Sequence, residues 1–344
     1  MKAIVRTKYG PPDVLQLQEV EKPAPTDEQA LVAVRAASVT FSNLLMVTAG
    51  PFPIRLILGL LRTPKPQIPG SDMAGRVEAV GRNVKQFQPG DEVFGYLADC
   101  GKGAYAEYVC APERALGLKP ANLSFAEAAA VPEAALVALQ AVRDDGQVQK
   151  GQKVLIYGAS GGIGTFAVQI AKYFGAEVTG VCSTRNLDLV RSIGADYVIY
   201  YTREDFTKNG QQYDLIVATA GYRSLADYQR ALSRQGIYVC TGGSWAQIFQ
   251  AAARGQRSSS GGKKLVMLTM NPNYDFAFIR EMIEAGKVRP VIDRHYPLSE
   301  IAEAFRYYGR RHARGKVVIT VEHNDKTEQS AAPDCYSAEL HSVR

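Results

Sequence analysis

Two patterns of hydrophobic and polar positions divide the chain. Through about residue 120, short runs rich in Val, Ile and Ala, such as 30–39 and 76–80, are separated by turn residues, which predicts β-structure. The runs 93–96 and 104–109 are predicted to pair as a meander. From residue 153 onwards, apolar runs such as 154–157 alternate with helical segments. This alternation predicts βαβ units around a parallel sheet that carries helices on both faces.

Helical periodicity begins after Ser124. Ser124 and Glu127 have the spacing of a capping box, and the Ala-rich helix that follows them is interrupted by Pro132. Nearer the C-terminus, residues 291–296 and 316–321 are predicted strands that return to the first domain. Residues 323–344 are polar and lack periodicity, so we expect a disordered tail there.

Composition excludes several classes of protein. The 344 residues are 46% hydrophobic and 22% charged, the balance of a soluble globular protein of about two domains. The net charge of +6 favours anionic small molecules over nucleic acid, which requires a strong basic stripe. The longest apolar stretch, residues 51–61, contains Arg55 and is too short to span a bilayer. The five cysteines are scattered and no targeting signal is visible, so we expect a cytoplasmic location.

The segment VLIYGASGGIG, residues 154–164, combines a strand, a glycine turn and the start of a helix. In this context Gly158 and Gly161 would let backbone amides approach a pyrophosphate, and Gly164 would let the helix pack closely on the strand. The strict GxGxxG spacing is not met, because Ala159 stands at the first glycine position. An ordinary glycine-rich βα turn is the alternative. The predicted cofactor-binding residues of this loop are Gly158, Ser160, Gly161, Gly162, Ile163 and Gly164.

The next strand ends in Ser183, Thr184 and Arg185, with no acidic residue. An acidic side chain at this point would bind the ribose 2′-hydroxyl of NAD. Hydroxyls and a guanidinium suit a 2′-phosphate instead, so the sequence predicts NADPH. The alternative is that Arg185 only lies at the exposed start of a helix.

Several further motifs accompany the glycine loop in a fixed order. They are PGSDMAG (69–75), GDEVFG (90–95), GAYAE (103–107), GKVRPVID (286–293) and HARGKVVI (312–319). Over about residues 1–322 the chain thereby resembles the zinc-independent medium-chain dehydrogenase/reductases, in the quinone oxidoreductase (zeta-crystallin-like) branch. The resemblance implies an α/β fold, with a GroES-like β-rich domain and a Rossmann domain built on a doubly wound parallel sheet.

The resemblance also implies the arrangement of these domains. The GroES-like domain would span 1–122, the NADP-binding Rossmann domain 123–270, and a return to the first domain 271–322. NADPH would lie in the cleft between the domains, and we expect a homodimer.

Zinc dehydrogenases of this superfamily carry a cysteine near the end of an early strand and a Gly-His-Glu motif. Here the corresponding places are Ser38, within Ala-Ser-Val-Thr, and Ser71-Asp72 after Gly70. The first histidine of the chain is His295. Since zinc favours Cys and His ligands, we expect no catalytic metal.

The resemblance implies two catalytic residues. The branch often shows Asn-Pro-x-Asp after Ser-Val, and here Thr40 holds the Asn position and Asn43 the Asp position. We expect both to donate hydrogen bonds to a substrate carbonyl; the alternative is that they only hold the strand and cap a helix. Some relatives place a tyrosine acid shortly afterwards, where this chain has Phe52.

Further cofactor contacts are predicted at the ends of later strands. In relatives a tyrosine at the place of Tyr201 touches the adenosine end, although Tyr201 would equally fit in the core. Ala220 and Gly242 follow parallel strands and would leave room for the nicotinamide, and Asn271 would approach its carboxamide.

The predicted function is the NADPH-dependent reduction of quinones or α,β-unsaturated carbonyl compounds without zinc, with a hydrophobic acceptor. One alternative is an NADP-dependent ketone or aldehyde reductase. The other is a non-catalytic NADPH-binding module that contacts a membrane or a protein, suggested by the apolar–basic segment 51–66 and the basic, serine-rich loop predicted at 254–264. We expect the segment 51–66 to form a lid over the acceptor pocket; contact with a membrane surface is the alternative.

Overall fold

The computed structural model describes residues 1–50, 67–220, 222–242, 257–271 and 275–323. The predicted lid at 51–66, which includes Phe52, lies outside the described residues, and so does the predicted tail after His323. The fold class predicted from the sequence is confirmed: a β-rich domain is followed by a domain built on a parallel sheet.

The β-rich domain is organised around one long strand. Its elements in chain order are β1 (Lys2–Arg6), β2 (Leu15–Glu19), β3 (Gln29–Val39), α1 (Phe41–Thr48), β4 (Asp72–Val80), β5 (Glu92–Tyr96), β6 (Tyr108–Pro112) and β7 (Leu116–Leu118). Strand β3 pairs antiparallel with β4 along one edge and with β6 along the other. The long β3 therefore brings together segments that are distant in the chain.

The predicted meander between 93–96 and 104–109 is wrong. Strand β5 pairs with β4 and β7, whereas β6 pairs with β3. The reason is that the edge of β3 opposite β4 is open over its first residues and accepts β6 there. The chain before β6 instead buries Tyr105 completely in the core of this domain.

Two short helices connect this domain to the next, α2 (Phe125–Ala129) and α3 (Pro132–Leu139). The predicted capping box is confirmed: Ser124 Oγ accepts from the Glu127 amide at 3.3 Å, and the Glu127 carboxylate accepts from the Ser124 amide at 2.9 Å. Pro132 occupies the first turn of α3, where its missing N–H leaves no intrahelical bond unmade. Both helices pack into a core shared with the parallel sheet.

The second domain is a doubly wound sheet. Its elements are β8 (Lys153–Tyr157), α4 (Gly162–Tyr173), β9 (Glu177–Cys182), α5 (Leu187–Ser192), β10 (Tyr197–Tyr200), β11 (Tyr213–Ala218), α6 (Leu225–Ala231), β12 (Leu232–Cys240), β13 (Arg257–Ser260) and β14 (Lys263–Met267). The strand order is β10-β9-β8-β11-β12-β14-β13, parallel except for β13. The order reverses between β8 and β11, which is where open α/β sheets bind ligands.

The serine-rich stretch predicted as a loop forms an edge hairpin instead. Strand β13 pairs antiparallel with β14 from Arg257 to Ser260. Gly261 and Gly262 have φ values of 58° and 85° and make the two-residue turn between the strands. Because such tight hairpins need positive φ at both turn residues, the two glycines define a turn, and the serines before them become a strand.

The last described segment returns to the first domain. It contains α7 (Phe276–Glu284), β15 (Ile292–Pro297), α8 (Ile301–Gly309) and β16 (Lys316–Thr320). Strand β16 pairs antiparallel with the second half of β3 and parallel with β15. The start of β16 thereby lies where the two domains meet. In the part of the chain that the structure describes, no helix combines the length and apolarity needed to cross a membrane.

Candidate active site

The glycine loop after β8 is folded as tightly as its sequence predicts. Gly158 has φ of 88°, and a Cβ placed on it would lie 2.6 Å from Thr219 Oγ1. A Cβ on Gly164 would lie 2.1 Å from the Gly158 carbonyl oxygen. Gly158 therefore makes the turn, and Gly164 allows helix α4 to approach the loop closely. These are the steric roles that the sequence assigned to them.

The N-terminus of α4 has no side-chain cap. Gly161 is the N-cap and offers no side chain to the first amides of the helix. A Cβ on Gly161 would meet nothing closer than 3.5 Å, and one on Gly162 would approach Lys316 Cδ at 3.1 Å. Uncapped amides at the N-terminus of a 12-residue helix suit a phosphate group. The loop therefore fits the pyrophosphate of a dinucleotide.

Two other predicted loop residues point elsewhere. Ser160 is buried, and its hydroxyl accepts a hydrogen bond from Asn186 Nδ2 at 2.8 Å. Its carbonyl oxygen accepts from the Gly315 amide at 2.9 Å. Ile163 packs its side chain against the core of the domain. Their side chains stabilise the loop, so any contact of these two residues with a cofactor would come from the backbone.

The residues predicted to bind the ribose 2′-phosphate lie at the exposed end of β9. Arg185 Nη2 donates to the His312 carbonyl oxygen at 3.0 Å, and Thr184 Oγ1 lies 3.3 Å from Thr202 Oγ1. Ser183 is partly buried between them and the strand, while the Tyr201 side chain is 49% exposed. Tyr201 is therefore not a core residue, and the guanidinium of Arg185 is held by the backbone of the segment that returns to the first domain.

Two residues outside the predicted site, Arg311 and Tyr222, contact each other, and Arg311 is close in the chain to the His312 carbonyl that holds Arg185. Arg311 Nη1 donates to the Tyr222 hydroxyl at 2.6 Å, and Arg311 immediately precedes the His312 carbonyl that holds Arg185. The side chains of Arg311 and Tyr222 are exposed. In the sequence, Arg311 lies in the basic run before β16, which is typical of a solvated face; attraction of NADPH or of an anionic membrane surface is the alternative interpretation. The return of the chain to the first domain brings this run to the end of β9.

The residues predicted around the nicotinamide lie at the ends of β11, β12 and β14. Ala220 faces the glycine loop, with its Cβ 3.1 Å from a Cβ placed on Gly158, and a Cβ on Gly242 would lie 3.1 Å from the Thr219 carbonyl oxygen. The buried side chain of Gln140 holds the backbone of Asn271. Gln140 Oε1 accepts from the Asn271 amide at 2.9 Å, and Gln140 Nε2 donates to the Asn271 carbonyl oxygen at 3.2 Å. No motif in the sequence indicates this role for Gln140.

A buried polar cluster lies beside the glycine loop, where β3, β4, α1, α3 and β16 meet. At its centre is Asp72, which is fully buried. Its carboxylate accepts from Ser38 Oγ at 2.8 Å, from the Glu133 amide at 3.0 Å and from Lys316 Nζ at 3.1 Å. The cluster consists of Ser38, Thr40, Ser42, Asn43, Ser71, Asp72, Tyr105, Glu133 and Lys316.

Lys316 connects this cluster to the cofactor loop. Its aliphatic stem passes Gly162, and its ammonium group ends on Asp72. One residue earlier, Gly315 forms an isolated parallel bridge with Gly161. The same short segment therefore contacts the glycine loop of one domain and the polar cluster of the other.

The predicted catalytic residues Thr40 and Asn43 both belong to the cluster. Thr40 is the N-cap of α1, and its hydroxyl accepts from the Asn43 amide at 3.2 Å. The Asn43 side chain donates to Ser71 Oγ at 3.1 Å and accepts from the Tyr105 hydroxyl at 2.9 Å. The helix-capping alternative is thus observed for Thr40. Since Asn43 is held by Ser71 and Tyr105, the Thr40 hydroxyl is the better placed donor to a substrate.

Glu133 is a further functional candidate that the sequence did not indicate. Ser42 Oγ donates to its two carboxylate oxygens at 2.9 and 3.2 Å, and Ser42 Oγ lies 2.8 Å from Thr40 Oγ1. Burial, followed by the nearby Asp72 carboxylate, raises the pKa of Glu133 to about 7, while Lys316 opposes this rise. Its carboxyl group therefore exchanges a proton near neutral pH.

Comparison with protein families matches both parts of the chain. Residues 26–141 match the alcohol dehydrogenase GroES-like domain, and residues 193–319 match the family described as zinc-binding dehydrogenase. A chloroplastic quinone-oxidoreductase homolog of Spinacia oleracea is 34% identical over 336 residues, which cover 93% of this chain and 98% of that protein.

Two further comparisons agree with this match. The chloroplastic NADPH-dependent alkenal/one oxidoreductase of Arabidopsis thaliana is 33% identical over 339 residues, which cover 93% of this chain and 79% of that protein. The solved structure of the quinone oxidoreductase from Coxiella burnetii superposes with a TM-score of 0.81 at 29% identity, covering 94% of this chain and 99% of that one.

The zinc named in one of these family descriptions does not fit the residues of the cluster. Ser38 and Ser71 offer neutral hydroxyls in place of thiolate or imidazole, and both are already hydrogen-bonded. The Asp72 carboxylate is neutralised by the ammonium group of Lys316. Since zinc sites use Cys, His and carboxylate ligands, this donor set is unsuited to the metal.

Proposed function

The chain belongs to the medium-chain dehydrogenase/reductase family, in its quinone oxidoreductase branch, and from this premise we propose that it reduces quinones or α,β-unsaturated carbonyl compounds with NADPH. One observation carries the proposal. The Lys316 side chain passes Gly162 of the glycine loop and ends on Asp72 in the buried polar cluster. A dinucleotide on the loop would therefore lie next to the cluster that contains the Thr40 hydroxyl.

The residues present fit a nicotinamide dinucleotide. Gly158 and Gly164 shape the loop, and the uncapped amides after Gly161 would hold the pyrophosphate. Ala220 and Gly242 leave the ends of β11 and β12 free of large side chains. When bound, the cofactor supplies a hydride from C4 of its nicotinamide to the electron-poor carbon of the acceptor.

NADPH rather than NADH is the form that this site favours. Arg185 at the end of β9 is held by the His312 carbonyl of the returning segment, in which Arg311 is the preceding residue, and the strand end carries hydroxyls instead of a carboxylate. Two guanidinium groups suit a 2′-phosphate, with which they form charge-assisted hydrogen bonds. One of the relatives, the alkenal/one oxidoreductase of Arabidopsis thaliana, is named as NADPH-dependent.

The chain's own part in the reaction is to position the acceptor and to stabilise the charge that develops on it. A reduced enone or quinone carries this charge on its carbonyl oxygen. A hydrogen bond from the Thr40 hydroxyl to that oxygen would lower the barrier without a metal. Thr40 is held in place for this task by the Asn43 amide on one side and Ser42 on the other.

Three of the properties predicted from the sequence remain predictions. They are the hydrophobic nature of the acceptor, the homodimer and the cytoplasmic location. Sedimentation of the purified protein would test the dimer directly.

A panel of acceptors tests the proposed function. NADPH oxidation would be followed by stopped-flow absorbance with a benzoquinone, with trans-2-hexenal and with hexanal. We expect turnover of the quinone or of hexenal, with reduction at the C=C bond of hexenal and none of hexanal. Reduction of hexanal would favour a ketone or aldehyde reductase. NADPH binding without turnover of any acceptor would contradict the proposal in favour of a non-catalytic binding module.

A further inference from the structure

Three side chains of the buried polar cluster form a continuous line of oxygen atoms. Glu133 Oε2 lies 2.9 Å from Ser42 Oγ, and Ser42 Oγ lies 2.8 Å from Thr40 Oγ1. We propose that Glu133 and Ser42 are a proton relay that resupplies the Thr40 hydroxyl each time it protonates the reduced acceptor. This inference rests on the proposed function, because it concerns the proton that must accompany the hydride.

The relay is held at both of its ends by backbone geometry. Thr40 and Ser42 lie at the start of α1, where Thr40 also caps the helix. Glu133 lies in the first turn of α3, and its amide donates to Asp72 at 3.0 Å. Residues separated by 91 positions in the chain are thus fixed at hydrogen-bonding distance. A relay needs this fixed spacing, since proton transfer between heavy atoms requires hydrogen-bonding distance.

The hydrogen bonds allow both protonation states of Glu133. With the carboxyl protonated, Glu133 donates to Ser42, Ser42 donates to Thr40, and the Thr40 proton points to the acceptor. With the carboxylate ionised, Ser42 donates to Glu133, as the structure shows, and Thr40 donates to Ser42. One pass of the relay converts the first arrangement into the second without moving a heavy atom.

The charged and titratable groups around Glu133 set its proton affinity. They come from three elements and one loop: Asp72 of β4, Lys316 of β16, Tyr308 of α8 and Tyr105 of the loop before β6. Burial and Asp72 raise the pKa of Glu133 to about 7, and Lys316 lowers it. Burial raises the pKa of both tyrosines above their ordinary value, so these groups stay neutral. Glu133 therefore gains and loses a proton near pH 7.

The step balances for an enone acceptor. Addition of hydride to the β-carbon moves the C=C electron pair and leaves an enolate with its charge on oxygen. Thr40 gives its proton to that oxygen, Ser42 gives its proton to Thr40, and Glu133 gives its proton to Ser42. The product leaves as the enol, which tautomerises in water, and the Glu133 carboxylate takes a proton from water. A quinone acceptor would leave as the hydroquinone by the same transfer.

Thr40 alone would touch the acceptor, so Glu133 and Ser42 are positioning residues. Glu133→Gln keeps an oxygen for Ser42 but holds no transferable proton, and Ser42→Ala interrupts the line of oxygen atoms. A matched control is Glu127→Gln, because Glu127 lies one helix earlier, outside the cluster, and glutamine also completes a capping box.

The measurements are the pH profile of kcat and the infrared band of a protonated carboxyl in the protein without cofactor. We expect wild-type kcat to fall as the pH rises through about 7, because the relay then starts without its proton. Both relay variants should lose this dependence and about 100-fold in kcat, the low end of general acid catalysis. The dissociation constant for NADPH should stay within about twofold. In the wild type and Ser42→Ala, the infrared band should titrate near pH 7, and in Glu133→Gln it should be absent.

Other outcomes would overturn the relay or the proposed function separately. An active wild type whose Glu133→Gln and Ser42→Ala variants keep its kcat and its pH profile would overturn the relay. If Glu133→Gln does not fold, the kcat and pH profile of Ser42→Ala alone test the relay. A wild type that turns over no acceptor would contradict the proposed function, and the infrared band would then decide whether Glu133 holds a proton at neutral pH. Absence of that band in the wild type would overturn the relay whatever the activity.

Discussion

Lys316 of β16 donates to Asp72 of β4 at 3.1 Å within the sheet of the first domain, and both side chains are buried. Replacing Lys316 with Met removes one partner and leaves a buried carboxylate without its counter-ion. We expect the free energy of unfolding to fall by about 3–5 kcal/mol, measured by urea denaturation. In the double variant with Asp72→Asn, part of this loss should be recovered, because no unpaired charge remains.

The exposed pair of Lys153 and Glu177 is the control for this prediction. Its charged atoms lie 4.0 Å apart, and both side chains are about half exposed. Lys153→Met should change the free energy of unfolding by less than about 1 kcal/mol. Equal losses from Lys316→Met and Lys153→Met would show that the buried pair has no special role.

Two glycines of the cofactor loop should respond differently to alanine. A Cβ on Gly164 would lie 2.1 Å from the Gly158 carbonyl oxygen, so Gly164→Ala must displace either helix α4 or the glycine loop. We expect it to lower the melting temperature and to abolish NADPH binding. A Cβ on Gly161 would stand in ordinary contact at 3.5 Å, so Gly161→Ala should fold normally. It should still raise the dissociation constant for NADPH at least about tenfold, because the added methyl group covers the helix amides; fluorescence titration would measure this. Unchanged binding by Gly161→Ala would contradict the assigned phosphate site.

Arg185 should distinguish NADPH from NADH. Loss of one charge-assisted hydrogen bond to phosphate weakens binding by about 1.5–3 kcal/mol. Arg185→Ala should therefore raise KM for NADPH at least about tenfold and leave KM for NADH nearly unchanged, in steady-state assays with a quinone. Arg311→Ala should act in the same direction, because Arg311 lies beside the carbonyl that holds Arg185. Arg306→Ala is the control, since Arg306 pairs with Asp13 and Glu303. An equal rise in KM for both cofactors would show that Arg185 does not bind the 2′-phosphate.

Activity should not depend on zinc. Hydroxyls and a lysine-paired carboxylate occupy the cluster in which a zinc dehydrogenase would carry its ligands. Dialysis against a strong chelator should leave NADPH oxidation unchanged, and the purified protein should contain substoichiometric metal by elemental analysis. Stoichiometric zinc with activity proportional to it would refute this expectation.

The sequence predicted the fold well where the information was local. The alternation of strands and helices after residue 153 gave the parallel sheet, and the glycine pattern placed Gly158 and Gly164 in their steric roles. It failed where pairing depends on distant segments: β6 pairs with the long strand β3, and β5 pairs with β4 and β7, so the two do not pair with each other.

The candidate site shows the same limit. Thr40 was found because it lies in a motif, whereas Glu133 looks like an ordinary acidic residue in the first turn of a helix. Its partner Ser42 is 91 residues away, and Lys316 is 244 residues from Asp72. Such contacts form only when distant segments of the chain fold together, so spacing along the chain carries no trace of them.

The raised pKa of Glu133 also has a consequence for stability. Its value is about 7 in the folded protein and ordinarily 4.5, so below pH 4.5 the group is protonated in both states. Between these values the unfolded chain releases the proton that the folded protein keeps, and stability falls as the pH rises. Glu133→Gln lacks this titration. Its melting temperature relative to wild type should therefore increase by at least about 2 °C between about pH 5 and about pH 8, as measured by calorimetry.

Glu127→Gln gives the contrasting case for this last prediction. Hydrogen bonds from Ser124, chiefly from its amide, lower the pKa of Glu127 below 4.5. The ionised carboxylate therefore contributes its full stabilisation above pH 4.5, and this contribution is lost only at lower pH. The difference in melting temperature between Glu127→Gln and wild type should therefore be constant from about pH 5 to about pH 8. If Glu133→Gln showed the same constant difference, the Glu133 carboxyl would be ionised throughout this range. A group that is always ionised has no proton to give to Ser42, so this result would also remove the source of the relay.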